Sequence, residues 1–209
     1  MTRKPFYAFI DASNLFYGGE KSLGWKVDYK KLIQYIKRQY KVTKVYYYGG
    51  VELEGFGYSP LTDKLDLKEL LSFLKRKLRK QKLNKTQITT TLKNIQRVKF
   101  YLKLKEFGYK LNLKPVKIFK EPDGRITKKA NCDVDMTFEI MRFYKEYSGV
   151  LVLTGDGDFL AVLKYLKETG KTVKILARGE RTAREIRQLA GGDFRDFVRL
   201  RPKIEYLGK

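Results

Sequence analysis

Hydrophobic and polar positions along the chain follow two alternating periods, one typical of buried strands and one typical of helices. Apolar runs of strand length occur at FYAFI (6–10), KVYYY (44–48), GVLVLT (149–154) and KTVKILA (171–177). Two of these runs are followed by a segment with helical spacing. The first segment is VDYKKLIQYIKRQY, in which Asp28 is the expected N-cap, and the second is DFLAVLKYLKETG (158–170). This β-α-β order predicts an α/β fold with a mainly parallel sheet that is covered by helices on both faces.

The middle of the chain differs in composition, because residues 64–120 contain 18 Lys and Arg against three acidic residues. Apolar residues at helical spacing predict a pair of basic helices at about 64–82 and 86–107, with Gly108 as a C-cap. These apolar residues are Leu67, Leu70, Leu71, Leu74, Leu78, Ile88, Leu92, Ile95, Val98 and Leu102. We expect a single domain over 1–209 that includes this basic helical segment at about 64–107.

Turn-forming residues flank the basic segment on both sides. GGVELEGFGYSP (49–60) is typical of a loop, and LNLKPVKIF predicts extended structure that ends in a turn at EPDG (121–124). We find no internal repeat and no low-complexity linker in the sequence.

Composition indicates a globular protein of a reducing compartment. Hydrophobic residues make up 43% of the chain and aromatic residues 14%, which is too many for a disordered chain. The apolar stretch near the N-terminus is too short for a secretory signal, and no run reaches the roughly 18 apolar residues of a membrane span. A single cysteine, Cys132, cannot form an internal disulfide. We therefore expect a cytoplasmic protein that does not interact with membranes.

The chain contains no histidine, and this absence limits the kinds of catalysis that it can perform. It excludes Ser-His-Asp and Cys-His catalysis and the HExxH zinc helix, so carboxylates must perform any hydrolysis. The net charge of +23 favours a polyanionic partner, nucleic acid before a membrane surface. A merely soluble, lysine-rich surface is the alternative interpretation of that charge.

Aspartates follow two predicted strands and begin one predicted helix. Asp11 follows FYAFI, Asp156 and Asp158 follow GVLVLT, and Asp133 and Asp135 lie in CDVD. The carboxyl ends of parallel strands lie at one edge of a sheet, where ligands of such folds bind. A helix that begins at CDVD can add a further carboxylate there. The pattern predicts a site for a hard cation, Mg²⁺ or Mn²⁺.

Helix geometry separates the two aspartates of CDVD, because residues two apart point about 200° apart around the helix. Asp133 shares its face with Met136 and Ile140, whereas Asp135 shares its face with Glu139 and Arg142. The first face is the more apolar, and an acid there needs a cation or a hydrogen-bond partner. We favour Asp133 as the ligand and Asp135 as a supporting or helix-start group.

Each of these polar residues also has a structural interpretation. Asp11 and Asn14 can serve as turn residues, Asp133 or Asn131 as an N-cap, and Asp158 as the N-cap of the following helix. The βα order of all the acids favours the cation site over these independent roles.

The GDGDFL sequence at 155–160 is not a nucleotide-binding loop. It lacks the third glycine of GxGxxG, and its two aspartates would repel a pyrophosphate. The chain also lacks the GxxxxGK[ST] of a P-loop. We expect Gly155 and Gly157 to adopt positive φ and to bring the backbone close to the ion.

Four segments together resemble an NYN domain of the LabA-like group, within the PIN-like nuclease superfamily: FIDASNLFYG, KKANCDVDMTFEIM, VLVLTGDGDFLAVLKYLKETGKTVKIL and RTAREIRQLAGGDFRDF. The resemblance covers residues 5–60 and 109–201. It implies a Rossmann-like, three-layer α/β/α sandwich (PIN-like) with an acidic Mg²⁺ or Mn²⁺ site, and a role in RNA cleavage or processing.

The resemblance also implies roles for individual residues. Asp11, Asp133, Asp156 and Asp158 match the acidic positions of the family, which are catalytic and bind the metal. Asn14 and Thr154 match its supporting polar groups. CDVD stands where the family more often has GVDV, which leaves Asp133 in register and Asp135 in a supporting role.

The leading functional hypothesis is a metal-dependent ribonuclease that cleaves RNA phosphodiester bonds. The alternative is an RNA-binding regulatory module with little or no catalysis. A Toprim-like enzyme is a further rival because GDGD contains DxD, but that motif needs a glutamate where Asp11 stands.

RNA is the expected partner, with single-stranded DNA or a further copy of the chain as alternatives. Basic side chains of the first middle helix are predicted to bind backbone phosphates: Lys75, Arg76, Lys77, Arg79 and Lys80. Aromatic side chains are predicted either to stack on bases or to lie in the core: Tyr17, Trp25, Tyr46, Tyr47 and Tyr48.

Overall fold

Strands and helices alternate through most of the chain. The structure, a computed structural model, describes residues 4–15, 24–80, 82–120 and 125–208. The strands are β1 Phe6–Asp11, β2 Val42–Val51, β3 Lys110–Pro115, β4 Lys117–Lys120, β5 Ile126–Lys129, β6 Gly149–Leu153, β7 Thr172–Ala177 and β8 Phe194–Asp196. The longer helices and one short C-terminal helix are α1 Tyr29–Tyr40, α2 Leu67–Lys80, α3 Lys85–Phe107, α4 Asp133–Arg142, α5 Leu160–Glu168, α6 Arg184–Ala190 and α7 Arg201–Ile204. The predictions for Tyr17 and for the EPDG turn lie outside the described residues.

The chain forms two compact units. The first comprises Met1–Gly49, Phe107–Asn112 and Cys132–Lys209, and the second comprises Gly50–Glu106 and Leu113–Asn131. The predicted basic segment therefore lies almost wholly in the second unit. Compact units occur within single domains as well as between domains, so the expectation of one domain stays a prediction.

A six-stranded sheet with the order β3-β2-β1-β6-β7-β8 organises the fold. β1 pairs in parallel with β2 and β6, β6 with β7, and β7 with β8. The predicted α/β class with a mainly parallel sheet is confirmed. Because these strands are parallel, their carboxyl ends share one edge, where Ile10 of β1 is paired with Leu153 of β6. β4 and β5 form a separate antiparallel pair in the second unit.

Helices α4, α5 and α6 pack on one face of the sheet in the first unit. Successive strand residues point to opposite faces. Tyr7 and Phe9 of β1 belong to a core cluster with residues of all three helices. Each helix contributes buried side chains, among them Met136 of α4, Leu163 of α5 and Ile186 of α6. Burial of such side chains stabilises the fold by roughly 1.5–3 kcal/mol each.

Helices α1 and α7 cover the opposite face of the same sheet. Asp28 caps α1 as predicted, since its carboxylate accepts from the backbone N–H of Lys31 at 3.0 Å. The ring of Tyr29 meets that of Tyr47 edge-on at 6.2 Å between centroids. Ile204 of α7 is fully buried. The first unit is thus the expected three-layer α/β/α arrangement.

The two basic helices form where the sequence predicts them, but the buried face of α3 differs from the prediction. Leu67, Leu70 and Leu74 of α2 are buried. In α3, however, Ile88 and Leu92 are 38% and 45% exposed. The buried stripe consists of Thr91, Ile95, Val98, Tyr101 and Leu104.

A tyrosine hydroxyl explains this difference in α3. The hydroxyl of Tyr101 donates to the carbonyl of Gly50 at 2.6 Å, so a residue with a polar end fits the core. A pattern built on Leu, Ile and Val alone does not detect Thr91 or Tyr101. Within the described residues, no helix combines the length and apolarity that crossing a membrane requires.

Two glycines lie near the ends of elements, Gly50 close to the end of β2 and Gly108 directly after α3. β2 continues to Val51, so the loop predicted over 49–60 begins later than expected. Gly50 lies within this strand, and a larger residue would not fit there because its Cβ would lie 2.7 Å from the Cβ of Ala130. Gly108 follows α3 with φ of +97°, in agreement with its predicted capping role.

Candidate functional site

The predicted acids lie at the carboxyl edge of the sheet and at the start of α4. Asp11 is the last residue of β1, and Asp156 follows β6 by three residues. Asp133 is the first residue of α4. In each case an apolar strand or an amphipathic helix fixes the backbone, so the position of the carboxylate follows from the burial of its neighbours.

Asp133, Asp156 and Asp158 come together. One carboxylate oxygen of each lies within 4.8 Å of those of the other two. Asp133 and Asp156 are partly buried, whereas Asp158 is exposed. Carboxylates this close repel one another unless a proton or a cation joins them. The arrangement is therefore suited to a cation that oxygen ligands bind.

Asp156 shapes the turn that carries two of these acids. Its Oδ1 accepts a hydrogen bond from the backbone N–H of Asp158 at 3.0 Å, so Asp156 caps the helical turn Gly157–Phe159. Phe159 is fully buried and anchors the turn to the core. The alternative role of Asp158 as the N-cap of α5 is wrong, because Phe159 occupies that position and Asp158 lies within the turn that Asp156 caps.

Asp11 lies outside the three-carboxylate cluster. It is 7% exposed, and its Oδ1 accepts hydrogen bonds from the backbone N–H groups of Ser13 and Asn14 at 2.9 and 3.3 Å. The hydroxyl of Ser13 donates to the same oxygen at 2.7 Å. Asp11 therefore has the turn and capping role of its structural interpretation. Its role as a metal ligand stays a prediction.

Thr154 and Asn14, the two supporting residues, connect Asp11 to the Asp156 turn. Thr154 is fully buried; its hydroxyl donates to Oδ2 of Asp11 at 3.4 Å and accepts from the backbone N–H of Asp156 at 3.2 Å. The side-chain oxygen of Asn14 accepts from the backbone N–H of Gly155 at 3.0 Å. Two side-chain contacts thus fix the loop after β6 to the end of β1.

The predicted positive φ of Gly155 and Gly157 is wrong, because neither residue adopts it. Close packing against backbone explains Gly155 instead, whereas the atom nearest to Gly157 is the end of a flexible side chain. A Cβ on Gly155 would lie 2.9 Å from the Cα of Thr182, and a Cβ on Gly157 would lie 2.7 Å from Oε1 of Glu185. The backbone N–H of Ala183 also donates to the carbonyl of Gly155 at 2.9 Å.

The segment that precedes α6 packs against the GDGD turn, a contact that the sequence does not predict. Thr182 is buried against the GDGD turn, and its hydroxyl donates to the carbonyl of Arg178 at 2.7 Å. Glu185 adds a further exposed carboxylate beside Gly157. The only sequence signal for these contacts is the pair of closely spaced glycines, which indicates that another chain segment approaches them.

Asp135 is exposed on α4, as its helix face predicts. Further along the same helix, Oε2 of Glu139 accepts hydrogen bonds from the hydroxyl of Tyr48 and from Nδ2 of Asn112, both at 2.8 Å. Burial, together with the hydrogen bond to Glu139, raises the pKa of Tyr48 above its ordinary value. Tyr48 therefore stays protonated and holds α4 against β2.

The aromatic residues assigned either to base stacking or to the core belong to the core where the structure describes them. Trp25 is 8% exposed, and Tyr46, Tyr47 and Tyr48 are 6% exposed or less. The ring of Tyr46 stacks on that of Phe9 at 5.3 Å. The base-stacking role is wrong for these four residues, because their side chains are buried.

The five basic residues predicted to bind phosphates lie on α2, in the second unit. Lys75, Arg76 and Arg79 are exposed, Lys77 is half-buried, and Lys80 is the last residue of the helix. Their contact with nucleic acid stays a prediction.

Comparison with known proteins adds a family to this geometry. The model of the NYN domain matches residues 55–197. The match includes Asp133, Asp156, Asp158 and the basic helices, whereas Asp11 and Asn14 precede it. The Low amplitude and bright protein LabA of Synechococcus elongatus is 21% identical over 197 residues, which cover 91% of this chain and 85% of that protein.

A solved structure has the same fold. The crystal structure of a protein of unknown function from Vibrio parahaemolyticus superposes with a TM-score of 0.61 and 16% sequence identity. The superposition covers 94% of this chain and 95% of that chain.

Proposed function

Because this chain belongs to the NYN domain family, we propose that it is a metal-dependent ribonuclease that hydrolyses RNA phosphodiester bonds. The observation that carries the proposal is the convergence of Asp133, Asp156 and Asp158 beside the carboxyl edge of a parallel sheet. Ligands of open α/β sheets bind at this edge. A protein without histidine also has few other groups with which to hydrolyse a phosphodiester.

The donor atoms fit Mg²⁺ or Mn²⁺. Three carboxylates within 4.8 Å of one another provide only oxygen ligands, which hard cations prefer. Asp133 and Asp156 would bind the ion directly, and Asp158 directly or through water. Asp11 would complete the set from the end of β1. A bound ion there would lower the pKa of a water molecule and offset negative charge on the scissile phosphate.

The other residues of the site would hold the loop in place during the reaction. Thr154 and Asn14 fix the GDGD backbone to the end of β1, and Thr182 packs against Gly155 from the other side. Catalytic groups must be held within fractions of an ångström of their productive positions, so such contacts matter for rate.

Electrostatics supports RNA as the substrate. A net charge of +23 attracts a polyanion, and Lys75, Arg76 and Arg79 of α2 would bind phosphates without reading sequence. Single-stranded DNA shares this backbone chemistry, so it is the closest competing substrate. We expect the protein to act in the cytoplasm.

One observation favours the alternative, an RNA-binding regulatory module. Asp11 is already hydrogen-bonded to Ser13, Asn14 and Thr154, and it stands outside the carboxylate cluster. The alternative rests on this separation of Asp11 from the other three acids.

Incubation with labelled substrates distinguishes the two functions. The pure protein is mixed with single-stranded RNA, structured RNA or single-stranded DNA, in the presence of Mg²⁺, Mn²⁺ or EDTA. The ribonuclease proposal predicts RNA cleavage that requires the metal. Tight RNA binding without cleavage under any of these conditions would support the regulatory module instead.

A further inference from the structure

A basic cleft lies between α1 and α7, on the face of the sheet opposite to α4, α5 and α6. Lys31, Gln34, Tyr35 and Arg38 of α1 and Lys203 of α7 line it. Its volume is about 400 Å³, and it is open to solvent. The cleft belongs wholly to the first unit.

The side chains that line the cleft carry positive charge and no negative charge. Three of the five lining residues are cationic, and none is acidic. Glu205 lies close by, because its main-chain carbonyl accepts from Nζ of Lys31 at 2.9 Å. Its carboxylate, however, accepts two hydrogen bonds from the guanidinium of Arg201, both at 3.0 Å. That negative charge is paired mainly with Arg201 and interacts more weakly with Lys31, so Arg38 and Lys203 supply most of the positive charge of the cleft.

Backbone contacts fix the two walls of the cleft. The N–H of Asp28 donates to the carbonyl of Ile204 at 2.8 Å, and the N–H of Tyr206 donates to the carbonyl of Lys26 at 2.9 Å. Ile204 is fully buried beneath the cleft wall. These contacts fix the backbone of both walls, so that only the side chains of the lining would have to be ordered when a ligand binds.

The side chains offer more than positive charge. The ammonium of Lys203 lies 5.5 Å from the ring centroid of Tyr35. The ring of Tyr35 packs edge-on against that of Tyr40 at 6.0 Å, so its position is defined. Gln34 adds an amide that donates and accepts. Cations, an amide and a phenol are groups that bind a phosphate together with the sugar attached to it.

We propose that the cleft between α1 and α7 binds a phosphate group of an RNA backbone, at a position separate from the carboxylate cluster. The inference rests on the proposed function, because it takes RNA as the polyanion. It adds a contact surface that neither the basic helix α2 nor the acids supply. Binding at this cleft needs no metal, because its own side chains carry the charge.

RNA binding in EDTA tests the inference apart from catalysis. Fluorescence anisotropy with labelled single-stranded RNA is measured over a range of salt concentrations for the wild type and for R38A/K203A. Each lost phosphate contact on a single strand lowers the salt slope of log K by about 0.7. Because Arg38 and Lys203 are proposed to hold one phosphate together, we expect a slope smaller by about 0.7 and an affinity about fivefold weaker at 0.1 M salt.

A matched variant controls for the loss of two positive charges. R142A/K164A removes one Arg and one Lys that are exposed on α4 and α5, on the opposite face. We expect its RNA affinity to stay within about twofold of the wild type. R38K/K203R keeps both charges and retains the salt slope. The melting temperatures of all variants confirm that the fold is intact.

The outcomes separate the inference from the proposed function. Equal affinity losses in the two double-alanine variants, or none in R38A/K203A, would overturn the cleft assignment, whether or not the protein cleaves RNA. A selective loss in R38A/K203A supports the cleft even if no metal-dependent cleavage is found. If R38A/K203A loses binding of AMP but not of RNA, the cleft takes a free phosphate and the RNA assignment is wrong.

Discussion

The hydroxyl of Thr154 donates a hydrogen bond to Oδ2 of Asp11 at 3.4 Å, across the paired ends of β6 and β1. The same hydroxyl accepts from the backbone N–H of Asp156 at 3.2 Å. A single buried hydroxyl thus connects the acid at the end of β1 to the turn that carries Asp156 and Asp158. The geometry of the carboxylate cluster depends on this connection.

Replacing Thr154 with valine tests that connection. Thr154→Val keeps the shape of the side chain but leaves Oδ2 of Asp11 and the N–H of Asp156 without this partner. An unsatisfied buried polar group costs roughly 1–3 kcal/mol. We expect a comparable loss in the free energy of unfolding, measured by urea denaturation, together with slower RNA cleavage. Thr154→Ser keeps the hydroxyl and serves as the control; equal stability of the Val and Ser variants would contradict this role.

The close approach of Thr182 makes Gly155 intolerant of any side chain. A Cβ at Gly155 would lie 2.9 Å from the Cα of Thr182, where backbone must move. We expect Gly155→Ala to lower the free energy of unfolding by roughly 1–3 kcal/mol. Gly192→Ala is the matched control, since nothing lies within 4 Å of its Cβ position and its φ is not positive. A denaturation experiment in which both variants match the wild type would refute the packing argument.

Burial raises the pKa of Tyr46 to about 12, from an ordinary value of 10.0. The folded state therefore holds this proton more tightly than the unfolded state. The stability linked to Tyr46 is fully present below pH 10 and is lost as the pH rises from 10 towards 12. We expect urea denaturation to show a declining free energy of unfolding over this range, and a shallower decline in Tyr46→Phe. Parallel declines in the two proteins would contradict the burial of the ionisable hydroxyl.

Metal binding at the cluster predicts a gain in thermal stability. A ligand present at about 100 times its Kd stabilises the folded state by about 2.7 kcal/mol. For a protein of this size, that corresponds to a rise of about 5–10 °C in the melting temperature. We expect Mg²⁺ or Mn²⁺ to produce this rise in the wild type and in Asp135→Asn, and not in Asp133→Asn. A rise of the same size in Asp133→Asn would place the ion elsewhere.

The sequence predicts the elements that periodicity defines. β1, β6 and β7 are long apolar runs, and α1 and α2 have clear amphipathic spacing, so burial alone specifies them. The shared edge of Asp11 and Asp156 follows in the same way, because parallel strands place their carboxyl ends at one edge. The approach of Asp133 to Asp156 depends in addition on where α4 begins.

Contacts between residues far apart in the sequence are not predictable from such patterns. The positions of Thr182 and Glu185 against Gly155 and Gly157 depend on tertiary packing, and no local spacing encodes it. The hydrogen bonds that satisfy Asp11 depend on the exact turn after β1. The buried face of α3 was missed for a related reason, because the Tyr101 hydroxyl finds its partner 51 residues away.

The rate of RNA cleavage by Asp156→Asn, compared with the wild type in a single-turnover assay with Mg²⁺ or Mn²⁺, tests the central claim most directly. Asn keeps the size of the side chain and an oxygen for the Asp158 N–H, but removes the charge that binds the ion. We predict a loss of about 100-fold or more, equivalent to about 2.7 kcal/mol in the barrier, while Asp135→Asn retains the wild-type rate. Cleavage at the wild-type rate by Asp156→Asn would contradict the proposed site.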